Sequence, residues 1–287
     1  MNENVNLALH DVPESSTAHS IRLLLPSDIP AAMGLSRDAG WNQLPDDWER
    51  LLALEPTGCF ALECEGQLAA TTTIIRYGTE LAWIGMVLTN SRFRRRGFAR
   101  LLLQRALNFA EKSGIAWVKL DATESGINLY RKHGFVEECE VQRWQRPAGY
   151  TAGSEVLSCS PDLVYDCDKF GADRTELLKR LAKLGAVSLP GEGYAMGRRG
   201  SLTAYFGPCV ANSSAAARRL LRWFVDRHYE ETISWDLFPA NQEAVCIAQE
   251  FGFVPVRRLV RMARAFNSST PIANHPSVFA IAGFELG

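Results

Sequence analysis

The sequence has no cysteine pair spaced as CxxC and no His/Cys cluster with metal-ligand spacing, so neither a dithiol redox pair nor a zinc site is expected. Its seven cysteines (Cys59, Cys64, Cys139, Cys159, Cys167, Cys209 and Cys246) are an odd count in mostly apolar company, which predicts buried free thiols in a reducing cytosol. Excess charge is also missing. The formal net charge of −1 gives no global pull toward nucleic acid or an anionic membrane. No apolar run reaches the roughly 20 residues that span a bilayer. Residues 1–20 lack the basic and apolar regions of a signal peptide, and read as a flexible polar segment. A cytoplasmic protein is expected.

What is present is an ordinary globular composition, 47% hydrophobic and 22% charged over 287 residues. That length suggests about two domains, each able to bury its own core. "IRLLL" (21–25) reads as a strand. A helix follows, with Ser27 as its expected N-cap, Pro30 near its start and Gly40 at its end. "PDDWERLLALEP" reads as a second helix closed by Pro56. "GCFALECEGQLAATTTIIRYG" is a hairpin around Glu65-Gly66, and "LAWIGMVL" a buried strand. "GFARLLLQRALNFAEKSG" keeps a helical period through Leu102, Leu103, Ala106, Leu107 and Ala110, stopped by Gly114. "IAWVKLDA", "ESGINLYRKHG" and "FVEECEVQRWQR" complete the order β-α-α-β-β-β-α-β-α-β. Residues 147–154 are turn-rich and read as a linker.

The second half repeats the end of the first. "AWIGMVLTNSRFRRRGFARLLLQRAL" lies beside "AYFGPCVANSSAAARRLLRWFV", and "GINLYRKHGFVEE" beside "EAVCIAQEFGFVPV". Only the first copy carries "RFRRRGFAR", five arginines in nine residues broken by one glycine. Three readings of that stretch stand open. It can be a solvated basic turn, the ordinary fate of a charge run. It can be a nucleic-acid patch, though the chain lacks the spread of basic and stacking residues that would need. Or it can be an anion socket, because helix N-termini carry unpaired N–H groups and a glycine there admits a phosphate closely.

With its context, this stretch resembles the GNAT superfamily of acyl-CoA-dependent N-acyltransferases. That family has an apolar strand and then R/Q-x-x-G-x-G/A opening a long helix. Here "MVLTNSRFRRRGFA" puts Arg94, Gly97 and Ala99 in the defining places. Further on, "TESGINLYRKHGF" matches the family's N-x-x-A-x-x-L-Y-x-x-x-G-F at Leu129, Tyr130, Gly134 and Phe135, with Thr123 for the Asn and Gly126 for the Ala. The resemblance covers about residues 21–146. It implies a mixed-sheet α/β fold, a GNAT fold that is duplicated here. Residues 21–146 would form the catalytic domain, and 155–287 a degenerate copy completing the acceptor cleft. The second copy has Asn241 in the family's Asn place but Ala248 where Tyr130 stands.

The resemblance implies attack of a neutral amine on the thioester of acetyl-CoA. The strand that splays from its neighbour would offer backbone N–H groups. Val87 and Leu88 would bind the pantetheine arm, and an N–H near Met86 would polarise the carbonyl. Arg94, Arg95, Arg96, Gly97, Phe98, Ala99 and Arg100 would hold the pyrophosphate, with Thr123 beside the cofactor. Tyr130 would protonate the leaving thiolate; alone, such a tyrosine reads equally as core. No base is identified: Glu80 and Asp121 flank relevant strands but can also cap a turn or meet an arginine, and His133 reads as a helix-end residue. Trp41 and Trp48 are lid or pocket-wall candidates, or a packed staple. Asp168, Asp173 and Arg174 are candidates to line the acceptor cleft from the second half, or else a capping and ion-pair cluster. The expected partner is a small amine or the exposed amine of a larger molecule, with no nucleic acid and no membrane, in a monomer or dimer. The rival reading is a non-catalytic acyl-CoA or ligand sensor.

Overall fold

The structure is a computed structural model that describes residues 18–149, 163–267 and 270–287. The expected N-terminal segment up to residue 17, most of the expected linker and Cys159 lie outside the described residues. The first half runs β1 (His19–Leu23), α1 (Ile29–Asp38), α2 (Pro45–Leu54), β2 (Cys59–Cys64), β3 (Gln67–Tyr77), β4 (Leu81–Thr89), α3 (Phe98–Lys112), β5 (Trp117–Ala122), α4 (Ile127–Arg131) and β6 (Val136–Arg146). The second half runs α5 (Leu163–Phe170), α6 (Thr175–Ala182), β7 (Ala186–Leu189), β8 (Gly193–Arg198), β9 (Ala204–Ala211), α7 (Ser214–Arg227), β10 (Ile233–Leu237), α8 (Gln242–Glu250), β11 (Val254–Ala265) and β12 (Val278–Ala280). From β4 to β6 and from β9 to β11 the repeat is reproduced element by element.

Local chemistry accounts for most of these elements. The β2–β3 turn has Glu65 and Gly66 both at positive φ, 55° and 70°, the two-residue geometry that suits a twisted hairpin. The apolar stripe of α3 is buried and packs on β2, β3 and β4. Gly114, at φ 67°, supplies the left-handed residue after that helix. At the first helix the expectation fails. Ser27 caps nothing. Asp28 Oδ2 instead accepts the Leu25 amide at 2.8 Å and is held by Arg22, so the ion pair decides the turn. β1 starts at His19, two residues before the expected strand.

The sheet joins the two halves. Its strands run β1-β2-β3-β4-β5-β11-β6-β10-β9-β8-β7, with β12 paired to β9. Each half has given its last strand to the other: β5 pairs with β11, and β10 with β6. Two buried ion pairs sit at these exchanged edges. Arg261 on β11 faces Asp121 on β5 at 2.8 and 2.9 Å, and Arg143 on β6 faces Asp236 on β10 at 2.8 and 2.7 Å. Arg143 and Arg261 lie equally far beyond Phe135 and Phe253, so the two bridges are repeats of one device. One cluster lies almost wholly in the second half and another almost wholly in the first, while a third is shared and includes Trp48 and Trp83 of the first half with Tyr194, Val210 and Ile281 of the second. The six cysteines among the described residues are free, but of these only Cys59, Cys64 and Cys209 are buried; Cys139 is half-buried, and Cys167 and Cys246 are exposed. No helix among the described residues is long and apolar enough to cross a membrane.

Candidate active site

β4 and β5 are parallel and pair only from Leu81 to Trp83 against Trp117 to Lys119. Beyond that point they part. In the same stretch β4 carries a bulge: its register to β3 steps from Gly85↔Thr73 to Leu88↔Thr71, so two residues oppose Thr72. Met86, at φ 50°, absorbs the extra residue, and Thr71 Oγ1 holds its carbonyl at 2.8 Å. Bulges of this kind end pairing and re-aim backbone groups. The strand edge that faces the gap is therefore free of β5.

A cavity with an empty volume of about 670 Å³ opens in this gap. Met86, Val87, Thr123, Tyr130 and Trp41, all expected from the sequence, line it. Leu88 sits one step further on, with its side chain in the core. Tyr130 is buried on α4. A Cβ on Gly126 would stand 3.0 Å from its ring, so the glycine at the family's alanine position makes room for the phenol. Among the described residues the Tyr130 hydroxyl has no hydrogen-bond partner, and burial pushes its proton affinity above that of an ordinary tyrosine. It is a protonated donor throughout the neutral range.

The arginine turn follows β4 and leads into α3. Gly97 is its N-cap, left-handed at φ 80°, with no side-chain cap. The first N–H groups of α3 are thus not taken by a capping side chain. Arg94, Arg95 and Arg100 are exposed and have no carboxylate partner among the described residues. Arg96, and more distantly Arg92, pair with Glu65 at 3.2 and 3.7 Å. That countercharge arrives from the β2–β3 hairpin, so the arginine stretch is less isolated than its own neighbourhood in the chain implies. Phe98 is buried and Ala99 half-buried at the start of the helix.

Three acceptor-cleft candidates fall elsewhere. Arg174 is buried, with both guanidinium arms on Asp166 at 2.8 Å and a third bond to the Gly287 carbonyl at 3.0 Å. Asp173 accepts the Thr175 amide at the start of α6, and Asp168 is an exposed partner of Lys169. This is the capping and ion-pair cluster. Trp48 is core. Glu80 closes a turn on Thr79. Asp121 lines the cavity but is locked on Arg261. His133 lies at the end of α4, bonded to the Leu129 carbonyl.

The lining residues missed from sequence include Asn42 and Gln43, next to Trp41, and, from far along the chain, Arg143, Arg257, Leu259, Phe284 and Glu285. The segment 278–287 carries the last two. It is held on β4 by Trp83 Nε1, which donates to the Phe284 carbonyl at 2.9 Å, and on β3 by the Tyr77 hydroxyl, which donates to the Leu286 carbonyl at 2.7 Å. A Cβ on Gly85 would meet the Glu285 backbone at 2.8 Å, so only glycine lets this segment press against the bulge. Burial raises the Glu285 carboxyl above the usual carboxylate range, while Arg198 at 3.3 Å draws it back.

The second copy shows what the first keeps. β9 and β10 also pair over three residues and then part. Here β12 fills the gap. It pairs with β9, the Ile281 amide donates to the Asp236 carbonyl at 3.1 Å, and Trp235 Nε1 donates to the Phe279 carbonyl at 2.9 Å. Asn241, in the family's Asn place, donates to the Pro276 and Val278 carbonyls and so holds this segment. Ser213 caps α7 by accepting the Ala216 amide at 3.2 Å, and Ala248 is buried where Tyr130 stands in the first copy.

Comparison with known proteins agrees with this geometry. The acetyltransferase (GNAT) family model matches residues 30–135, and a second acetyltransferase (GNAT) domain model matches residues 163–280. No curated protein matches. Among solved structures, a candidate acetyltransferase from Pyrococcus horikoshii is similar over 100% of this chain and 99% of its own, with a TM-score of 0.81 and 21% identity. A tandem GNAT protein from the clavulanic acid biosynthesis pathway is similar over 88% of this chain and 100% of its own, at TM-score 0.61 and 14% identity. A GCN5-related N-acetyltransferase from Sphaerobacter thermophilus covers 91% of this chain and 98% of its own, at TM-score 0.58 and 16% identity. At such identities the likeness establishes the fold. With two family domains that together span most of its length, this chain belongs to the GNAT acetyltransferase family and carries the fold twice.

Proposed function

We propose that the protein is an acetyl-CoA-dependent N-acetyltransferase that acetylates a primary amine in the cavity between β4, β5 and the segment 278–287. The observation that carries this reading is the meeting of the bulge at Met86 and the buried Tyr130 in one cavity, on a strand that runs on through the arginine turn into the uncapped start of α3. Acetyl-CoA supplies the activated acetyl group. The turn at Gly97, with Arg94, Arg95 and Arg100, would take its pyrophosphate, since uncapped amides and fixed positive charge both favour an anion there. The freed edge of β4 at Val87 and Leu88 would align the pantetheine arm. An amide at the bulge would donate to the oxygen on which charge develops, a contact worth about 3–4 kcal/mol in other acyl transfers.

The acceptor ammonium must first lose a proton. Glu285 is the group for this step. It lines the cavity, and its raised proton affinity lies closer to neutrality than an exposed carboxylate's. Tyr130 gives its proton to the departing thiolate. Arg198 holds Glu285 and balances its charge, while Trp41 closes one wall of the cavity. A small acceptor, or the exposed amine of a larger one, is the partner this reading takes.

The test is direct. Acetyl-CoA should raise the melting temperature of the full chain, and a panel of small amines should release CoA from it. Stabilisation without release by any amine would favour the sensor reading instead. No stabilisation by acetyl-CoA or CoA would end the proposal.

A further inference from the structure

Four charged side chains line the cavity: Arg143, Arg257, Asp121 and Glu285. Three have countercharges. Arg143 is held by Asp236 on both arms, Asp121 by Arg261, and Glu285 by Arg198, which also reaches Asp47 at 3.5 Å. Arg257 alone of the four has no carboxylate within ion-pair distance among the described residues.

Its position makes this costly. Arg257 on β11 is the direct register partner of Arg143 on β6, and like charges directly opposite on neighbouring strands repel. The register places it there by a bulge. Pro255 pairs with Trp144, so regular pairing would put Val256 against Arg143; the shift puts Arg257 there instead. Arg257 is also half-buried. Burial and the nearby Arg143 both weaken its hold on its proton, only partly offset by Asp236. The Phe284 ring lies 4.7 Å from the Arg143 guanidinium and 6.0 Å from that of Arg257. A half-desolvated, uncompensated guanidinium beside an aromatic wall is a place for a planar anion. One spare positive charge matches a singly charged carboxylate better than a phosphate dianion. Near it, Gln43 Oε1 is buried with no hydrogen-bond partner and lines the same cavity, an acceptor available to the N–H of an amine.

We propose that the acceptor is an amino acid-type amine that carries a carboxylate, and that Arg257 binds this carboxylate. The proposal rests on the acetyltransfer reading for the identity of the amine. It disfavours polyamines and aminoglycosides, whose additional positive charges would meet Arg257.

The experiment compares free amino acids with their own carboxamides on the full chain. Two readouts are taken: CoA release at saturating acetyl-CoA, and thermal shift by the acceptor alone. For the best amino acid, kcat/KM should exceed that of its carboxamide by about 10-fold or more, as expected when a site's charged donor loses its partner. In Arg257→Gln that discrimination should collapse, chiefly through KM, and Arg257→Lys should restore part of it. Melting curves of both variants check that they fold. Amines acetylated with no preference for the carboxylate would overturn this proposal and leave the acetyltransfer reading standing. Amino acids that shift the melting temperature through Arg257, without CoA release, would keep the carboxylate site and remove the chemistry. If no amino acid binds or reacts, the site is not one for amino-carboxylates.

Discussion

Tyr130 and Glu285 line one void from opposite halves of the chain, and burial acts on both in the same direction. For the phenol, a raised proton affinity keeps the donor loaded. Tyr130→Phe should therefore lower kcat by about 10²-fold or more while acetyl-CoA affinity stays within about 3-fold; stopped assays and calorimetry would separate the two. A base acts deprotonated, so the acid limb of kcat should lie above the ordinary glutamate value of about 4.3. Glu285→Gln should remove that limb, and a limb that persists would assign the base elsewhere. The same raised affinity means the folded chain holds this proton more tightly than the unfolded one. Its stabilising contribution is complete below the unfolded pKa and is lost as pH rises through the folded value.

The two long helices α3 and α7 occupy equivalent places and differ at their first residue. α7 is closed by Ser213, while α3 starts from left-handed Gly97 without a cap. The Ser213 hydroxyl occupies one of the first amides of α7, whereas no side chain competes for those of α3. Gly97→Val should weaken acetyl-CoA binding, since an L side chain at that φ costs about 1–2 kcal/mol; titration by thermal shift would measure it. The Cβ itself meets only the Arg100 side chain at 3.9 Å, so the effect is conformational rather than a clash. Ser213→Ala should cost about 1 kcal/mol of stability and leave acetyl-CoA affinity unchanged. Equal effects of the two changes on affinity would place a cofactor at both helices.

Strand exchange makes the molecule one sheet, and the repeated Asp–Arg bridges lie where the halves interlock. Asp121→Asn would leave Arg261 buried without its countercharge. Breaking such a pair costs about 3–5 kcal/mol, and urea or thermal unfolding should show a loss of that order. The same interlock builds the site. β6 delivers Arg143, β11 delivers Arg257 and Leu259, and the segment 278–287 delivers Phe284 and Glu285. That segment also fills the second copy's gap. A single stretch of chain thus closes one groove and equips the other.

The first half's element order, the repeat and the glycine turn at Gly97 were legible in the chain, because each depends on neighbours within about one supersecondary unit: hydrophobic period, turn glycines and helix-end chemistry. The splay of β4 and the place of Tyr130 came with the family resemblance, and the bulge at Met86 shows only in the strand register. Ser27 misled because its rival, Asp28, is held by Arg22, a contact that spacing does not reveal. Arg174 and Asp168 carried the charge of a cleft residue, yet their partners Asp166 and Lys169 are close in the chain and take them up. Which half would own the last strand, what would fill the second groove and which residues would face Met86 were decided only by the folded sheet. Those contacts join residues from 35 to 209 positions apart. Their stability comes from shared burial and paired charge, which leave no periodic mark on a linear sequence.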